Sequence, residues 1–96
     1  MVARNVTLKL KAHSAIKFSR LFEDVVLPVL RKQPGFRSGV SMVSGERSEA
    51  VAISFWDGRE SAEAFELNAY APLVEQLESV LAEPPDVSTL VVSSKS

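Results

Sequence analysis

Along residues 2–12 the apolar positions alternate. Val6, Leu8 and Leu10 fall on one parity, and Asn5, Thr7, Lys9 and Lys11 on the other, which predicts a half-buried strand. After Ser14, a candidate helix cap, the period lengthens. Phe18, Leu21, Phe22, Val25 and Val29 recur at spacings of three and four, with Val26 and Leu30 widening the stripe and Arg20, Glu23 and Arg31 off it. This is the apolar face of an amphipathic helix. Pro28 lies inside it, removes a backbone donor and crowds the Asp24 carbonyl, so a kink near residues 24–28 is expected. Gln33-Pro34-Gly35 ends the helix.

Alternation resumes over Phe36–Ser44, where Phe36, Val40 and Met42 are expected on one face and Arg37, Gly39, Ser41 and Val43 on the other. Gly45-Glu46-Arg47-Ser48 reads as the turn of an antiparallel hairpin whose second strand is Glu49–Trp56. There Val51, Ile53 and Phe55 oppose Ala50, Ala52, Ser54 and Trp56. Trp56, the only tryptophan, stands where the period changes from two to about 3.6. Asp57 or Gly58 can cap the next helix, Glu60 suits its electropositive first turn, and Ala62, Phe65, Ala69 and Leu67 supply apolar contacts. Tyr70-Ala71-Pro72 interrupts the pattern, Leu73, Leu77, Val80 and Leu81 resume it as a further short helix, and Pro84-Pro85 ends it. Val87–Val92 is the last strand. The order β-α-β-β-α-β predicts an α+β, ferredoxin-like fold over residues 1–96 as a single domain: a four-stranded antiparallel sheet with helices on one face.

That arrangement leaves the other sheet face bare, and neither face of the two hairpin strands carries the alternating charge of a solvated surface. A second copy packed on the open face, a homodimer, is the simplest cover. Composition narrows the chemistry. Among 96 residues there are 11 basic and 12 acidic ones and no cysteine. Disulfides, thiolate nucleophiles and thiolate-bound metals are excluded. No basic stripe points to nucleic acid. No apolar run approaches the roughly 20 residues that cross a bilayer, and the first residues carry no signal-peptide pattern. A cytoplasmic protein without membrane or nucleic-acid partners is expected.

Phe22 with Leu27-Pro28-Val29-Leu30, then Gln33-Pro34-Gly35-Phe36, Ser54-Phe55-Trp56 and Glu60-Ser61-Ala62-Glu63-Ala64-Phe65, resembles the antibiotic biosynthesis monooxygenase-like (ABM) family over residues 4–92. The resemblance implies a dimeric α+β barrel with a pocket between sheet and helices in each subunit. It also implies one of several activities: metal- and flavin-free oxidation of polycyclic aromatic substrates by molecular oxygen, haem degradation, or none known. The haem-degrading pattern places an asparagine on the first strand, a tryptophan in the second helix and a histidine beyond it. Those positions are Val6, Phe65 and Glu75 here, and Asn5 has the opposite parity to Val6. The cofactor-free pattern places an asparagine where this chain has Ala52.

Trp56, Tyr70, Asn68, Phe22 and Phe65 are the candidate ligand-binding residues. Trp56 stacks on a flat ligand or closes the core with its indole N–H bonded. Phe22 and Phe65 are walls or core at helical spacing, and Tyr70 with Asn68 can reach a pocket mouth. His13, the single histidine, has no partner that would make it a base or a ligand. Glu60, Glu63 and Glu66 with Arg59 read as a solvated helix face. No metal site, cofactor or catalytic residue is assigned. Two functions follow: a small cofactor-independent monooxygenase acting on a flat aromatic substrate, or a non-catalytic dimeric module that binds a small hydrophobic molecule or serves a structural role.

Overall fold

Strand β1 (Val2–Lys9) lies inside a four-stranded antiparallel sheet in the computed structural model, which describes residues 1–44, 46 and 48–96. With β2 (Phe36–Ser44), β3 (Glu49–Trp56) and β4 (Asp86–Val91) the order is β2-β3-β1-β4. The register sets Val2 opposite Trp56 and Val6 opposite Ala52 on one side, and Val6 opposite Val87 on the other. This is the ferredoxin-like α+β arrangement. β1 stops three residues earlier than the alternation suggests. Leu10 makes only an isolated bridge to Leu81, its N–H goes to the Ser48 carbonyl at 2.7 Å, and the Lys11 N–H goes to Val80 at 2.8 Å. The hairpin turn falls partly on Gly45 and Arg47, which lie outside the described residues.

The face assignment of β2 differs from the sequence pattern. A bulge between Phe36 and Ser38 inserts one residue, so Phe36 pairs with Trp56 while Ser38 pairs with Phe55. A one-residue slip exchanges faces. Phe36 therefore turns toward the helices and meets Trp56 edge-on at 5.5 Å, whereas Val40 and Met42 share the open face with Val51, Ile53 and Phe55. Gly39 comes to the helical side; a Cβ there would lie 3.2 Å from Leu27.

Two helical arms cover the other face. The first is α1 (Ala15–Leu21), a π-helical turn at Phe22–Val26, and α2 (Leu27–Arg31). The second is α3 (Arg59–Phe65), a π-helical turn at Glu66–Tyr70, and α4 (Ala71–Leu77). Each wide turn ends two residues before a proline, Pro28 or Pro72. The expected kink takes this form because proline offers no N–H to the preceding turn; the Leu27 N–H reaches back to the Phe22 carbonyl instead. The second arm continues through Tyr70-Ala71-Pro72, which the sequence pattern alone reads as a break. The caps also differ from expectation. No side chain caps α1 or α3; Gly58 stands at the N-cap of α3 in extended backbone, and Asp57 pairs with Arg37. Leu67 projects into solvent, 85% exposed.

The widened turns set what each arm presents to the sheet. Phe18, Phe22, Val26 and Leu30 are all buried at a uniform spacing of four. On an unbroken α-helix that spacing drifts about 40° per step and would carry Leu30 off the face; the wider turn absorbs the drift. The core gathers around these side chains with Val2, Val6, Leu8, Trp56, Phe65, Leu73 and Leu77. The opposite sheet face is bare. Val40, Met42 and Leu90 are exposed there, and Val51, Ile53 and Phe55 are half-buried. Among the described residues no helix is long and apolar enough to cross a membrane.

Candidate functional site

Between sheet and helical arms lies a cavity of about 60 Å³, or about 530 Å³ with the open space at its mouth. Its floor is the helix-facing parity of the sheet: Arg4, Val6 and Leu8 from β1, Ala52 and Ser54 from β3. Phe18, Phe22, Val26 and Leu30 form one wall. Phe65, Tyr70, Leu73, Val74 and Leu77 form the other. The hollow is overwhelmingly apolar, with Arg4, Ser54 and Tyr70 as its polar side chains, the composition of a small-molecule pocket.

Arg4 is the residue the sequence pattern conceals. It shares the parity of Val6 and Leu8, so the strand carries it to the buried face, where it is 3% exposed. Its Nη2 donates to Glu66 Oε2 at 2.9 Å. Its guanidinium lies 4.6 Å from the Tyr70 ring centroid and 5.0 Å from that of Phe65. Stacked cations of this kind are attracted by the ring quadrupoles, by about 0.5–2 kcal/mol each. The signal for Arg4 was its parity, two residues before Val6. Arg4 also borders a second hollow, with Arg59, Ala62, Glu63, Glu66 and Thr89.

Tyr70 reaches this place because of the wide turn. Phe65 and Tyr70 are five residues apart, which on an α-helix would separate their directions by about 140°. Bonds running from i to i−5 bring them back to one side, and the rings meet edge-on at 6.2 Å. Burial raises the Tyr70 phenol pKa above its usual value; the Arg4 charge opposes this and Glu66 adds to it. The phenol therefore stays protonated at neutral pH and is available as a hydrogen-bond donor.

The five candidate ligand residues separate. Phe22, Phe65 and Tyr70 line the cavity. Trp56 lies behind Phe65 in the core, fully buried, stacked on that ring at 5.1 Å, with its Nε1 donating to Ser54 Oγ at 2.9 Å. Asn68 is exposed on the π-helical turn. His13 is exposed with φ of 61°. Among the described residues no three histidine, aspartate or glutamate side chains converge as a metal site would require.

The sheet order and the paired helical arms recur in solved structures that include antibiotic biosynthesis monooxygenases, the fold that the sequence resemblance implied for one subunit. A monooxygenase from the gene ActVA-Orf6 of Streptomyces coelicolor, solved with nanaomycin D, superposes with a TM-score of 0.83 at 22% identity, over 98% of this chain and 88% of that one. SnoaB, a cofactor-independent oxygenase from Streptomyces nogalater, gives 0.79 at 14% identity, over 98% and 94%. An uncharacterized NIPSNAP domain protein from Burkholderia xenovorans gives 0.69 at 17%, over 98% and 96%. At these identities the likeness is one of fold. Compared by sequence, the chain matches no family model and no curated protein.

Proposed function

We propose that this chain binds a flat, electron-rich aromatic molecule in the cavity and oxygenates it without metal or flavin. The observation that carries the reading is the aromatic-walled apolar cavity with a protonated Tyr70 phenol in its wall. Its fold is shared with a cofactor-independent oxygenase and with a monooxygenase that holds a ligand, nanaomycin D. The enclosed part of the hollow is about 60 Å³, less than the roughly 150 Å³ of an apolar cavity that admits benzene, so a ring bound here also occupies the open mouth, with which the space is about 530 Å³.

The reaction balances without a resident cofactor when the substrate is an anthrone-type methylene compound. The methylene loses a proton to solvent and becomes a stabilised carbanion. It gives one electron to dioxygen; the radical and superoxide join in a new carbon–oxygen bond, and the peroxide takes up a proton. Loss of the second methylene proton with cleavage of the O–O bond yields a ketone and one water. The chain's part is to exclude bulk water, align the ring between Phe22 and Phe65, and donate from Tyr70 to the substrate oxygen on which charge develops. Oxygen uptake on adding anthrone to the pure protein tests this. One dioxygen consumed per anthrone, faster than the spontaneous rate and slowed about tenfold or more by Tyr70→Phe, supports it; uptake at the background rate refutes it.

A specific observation favours the second reading, a non-catalytic ligand-binding module. Among the described residues no carboxylate or imidazole lines the cavity, and Ala52 stands where the cofactor-free pattern has an asparagine. Saturable anthrone binding without oxygen uptake is its signature. Haem degradation is disfavoured, because Val6 and Phe65 are apolar cavity walls and Glu75 is exposed. Residues 1–96 are taken to act as one cytoplasmic domain, dimerised through the bare sheet face where Met42 and Leu90 are 53% and 58% exposed.

A further inference from the structure

Among the described residues Arg4 is the one charged side chain that lines the cavity. A cation this buried is costly unless it is paired, and the pairing here is lopsided. Its partner Glu66 has a side chain 45% exposed, lies outside the cavity lining, and meets only Nη2. Guanidinium carries five donors in a planar fork that matches a carboxylate bidentately. Among the described residues Nε and Nη1 donate to no protein acceptor, and neither is a fully buried unpaired atom, so they open onto the hollows that Arg4 borders, while the Phe65 and Tyr70 rings hold the group in place beside the cavity. A rigidly held cation with unused donors, against an apolar hollow, is a receptor for a ligand anion.

We infer that the cavity selects flat aromatic ligands bearing an anionic oxygen, a carboxylate or an acidic enolate, and that Arg4 reads that charge in competition with Glu66. This rests on the reading of the cavity as a site for aromatic molecules, and narrows the class it admits. Inside a low-dielectric wall, a charge-assisted pair is stronger than the same contact in water. The ligand anion approaches from the cavity side, whereas Glu66 holds Arg4 from the solvent side, so the two carboxylates share one cation. Removing the Glu66 charge therefore strengthens the ligand's hold, although it removes an ion pair from the protein.

The test is calorimetric titration of the wild type, Arg4→Met, Arg4→Lys and Glu66→Gln with naphthoate and its neutral isostere naphthamide, at neutral pH and low salt. Naphthoate is expected to bind the wild type at least tenfold more tightly than naphthamide. Arg4→Met should erase most of that preference, read as the ratio of the two affinities so that a general change in the cavity wall cancels, and Arg4→Lys should keep part of it. Glu66→Gln should tighten naphthoate several-fold without affecting naphthamide. Equal affinity of the two probes for the wild type, or weaker naphthoate binding in Glu66→Gln, overturns the inference while leaving an aromatic-binding cavity intact. Binding of neither probe overturns both. Should Arg4→Met fail to fold, Glu66→Gln, which changes a partly exposed side chain, decides the matter alone.

Discussion

Replacing Ser54 by alanine isolates the structural role of Trp56. Ser54 Oγ accepts the indole N–H at 2.9 Å, and both residues are buried, Trp56 completely. Alanine leaves that N–H without a partner where water cannot reach it, at a cost of about 1–3 kcal/mol. With a urea slope of about 1–2 kcal/mol/M for a small domain, the unfolding midpoint falls by about 1 M. Trp56→Phe removes the donor, and its cost is lost packing against Phe36 and Phe65. In that background Ser54→Ala orphans nothing and should cost less than about 0.5 kcal/mol. The cycle predicts a coupling of about 1–2 kcal/mol, read by far-ultraviolet circular dichroism because Trp56→Phe abolishes the fluorescence signal. An equal cost of Ser54→Ala in both backgrounds would refute the bond as a determinant of the Trp56 position.

Gly35 sits at φ of +81°, and a Cβ there would clash with the Ser61 side chain, so Gly35→Ala should lower stability by about 2 kcal/mol or more in urea unfolding, through strain and displacement of α3. Tyr70 makes stability depend on alkaline pH. Its folded pKa is raised, so the unfolded chain loses the phenolic proton first, and this contribution is fully present below pH 10.0, the ordinary value, and lost as pH rises through the folded pKa. Tyr70→Phe should flatten that part of a stability-versus-pH curve measured by urea unfolding; identical slopes with and without the phenol would contradict the sign. Met42→Glu places a charge on the bare sheet face and should convert a dimer into a 10.5 kDa monomer in light scattering; a wild-type protein already monomeric at all concentrations would remove the face-to-face arrangement.

The strands and helices were legible because their apolar periods differ and few residues violate them. What escaped the pattern were single-residue slips. The bulge after Phe36 exchanged the faces of β2, and no glycine or proline at positions 37–38 announces it. The wide turn at Glu66–Tyr70 left the helix continuous and rotated Tyr70 onto the Phe65 side, where the sequence showed only a proline two residues on. For the site, the aromatic walls followed from helical spacing. Arg4 did not, because a charged residue near a strand end is ordinarily counted as polar surface; its parity said otherwise. Trp56 drew attention as a ligand platform by its rarity and position, yet its place behind Phe65 depends on ring packing that spacing does not encode.

Nuclear magnetic resonance shift mapping during titration with an aromatic acid such as naphthoate tests most directly whether a flat aromatic molecule occupies the hollow between sheet and helices. Saturable shifts should concentrate at Arg4, Phe22, Ala52, Phe65 and Tyr70 and spare Val40, Met42 and Leu90. Shifts confined to those three open-face residues, or none at saturating ligand, would contradict that occupancy.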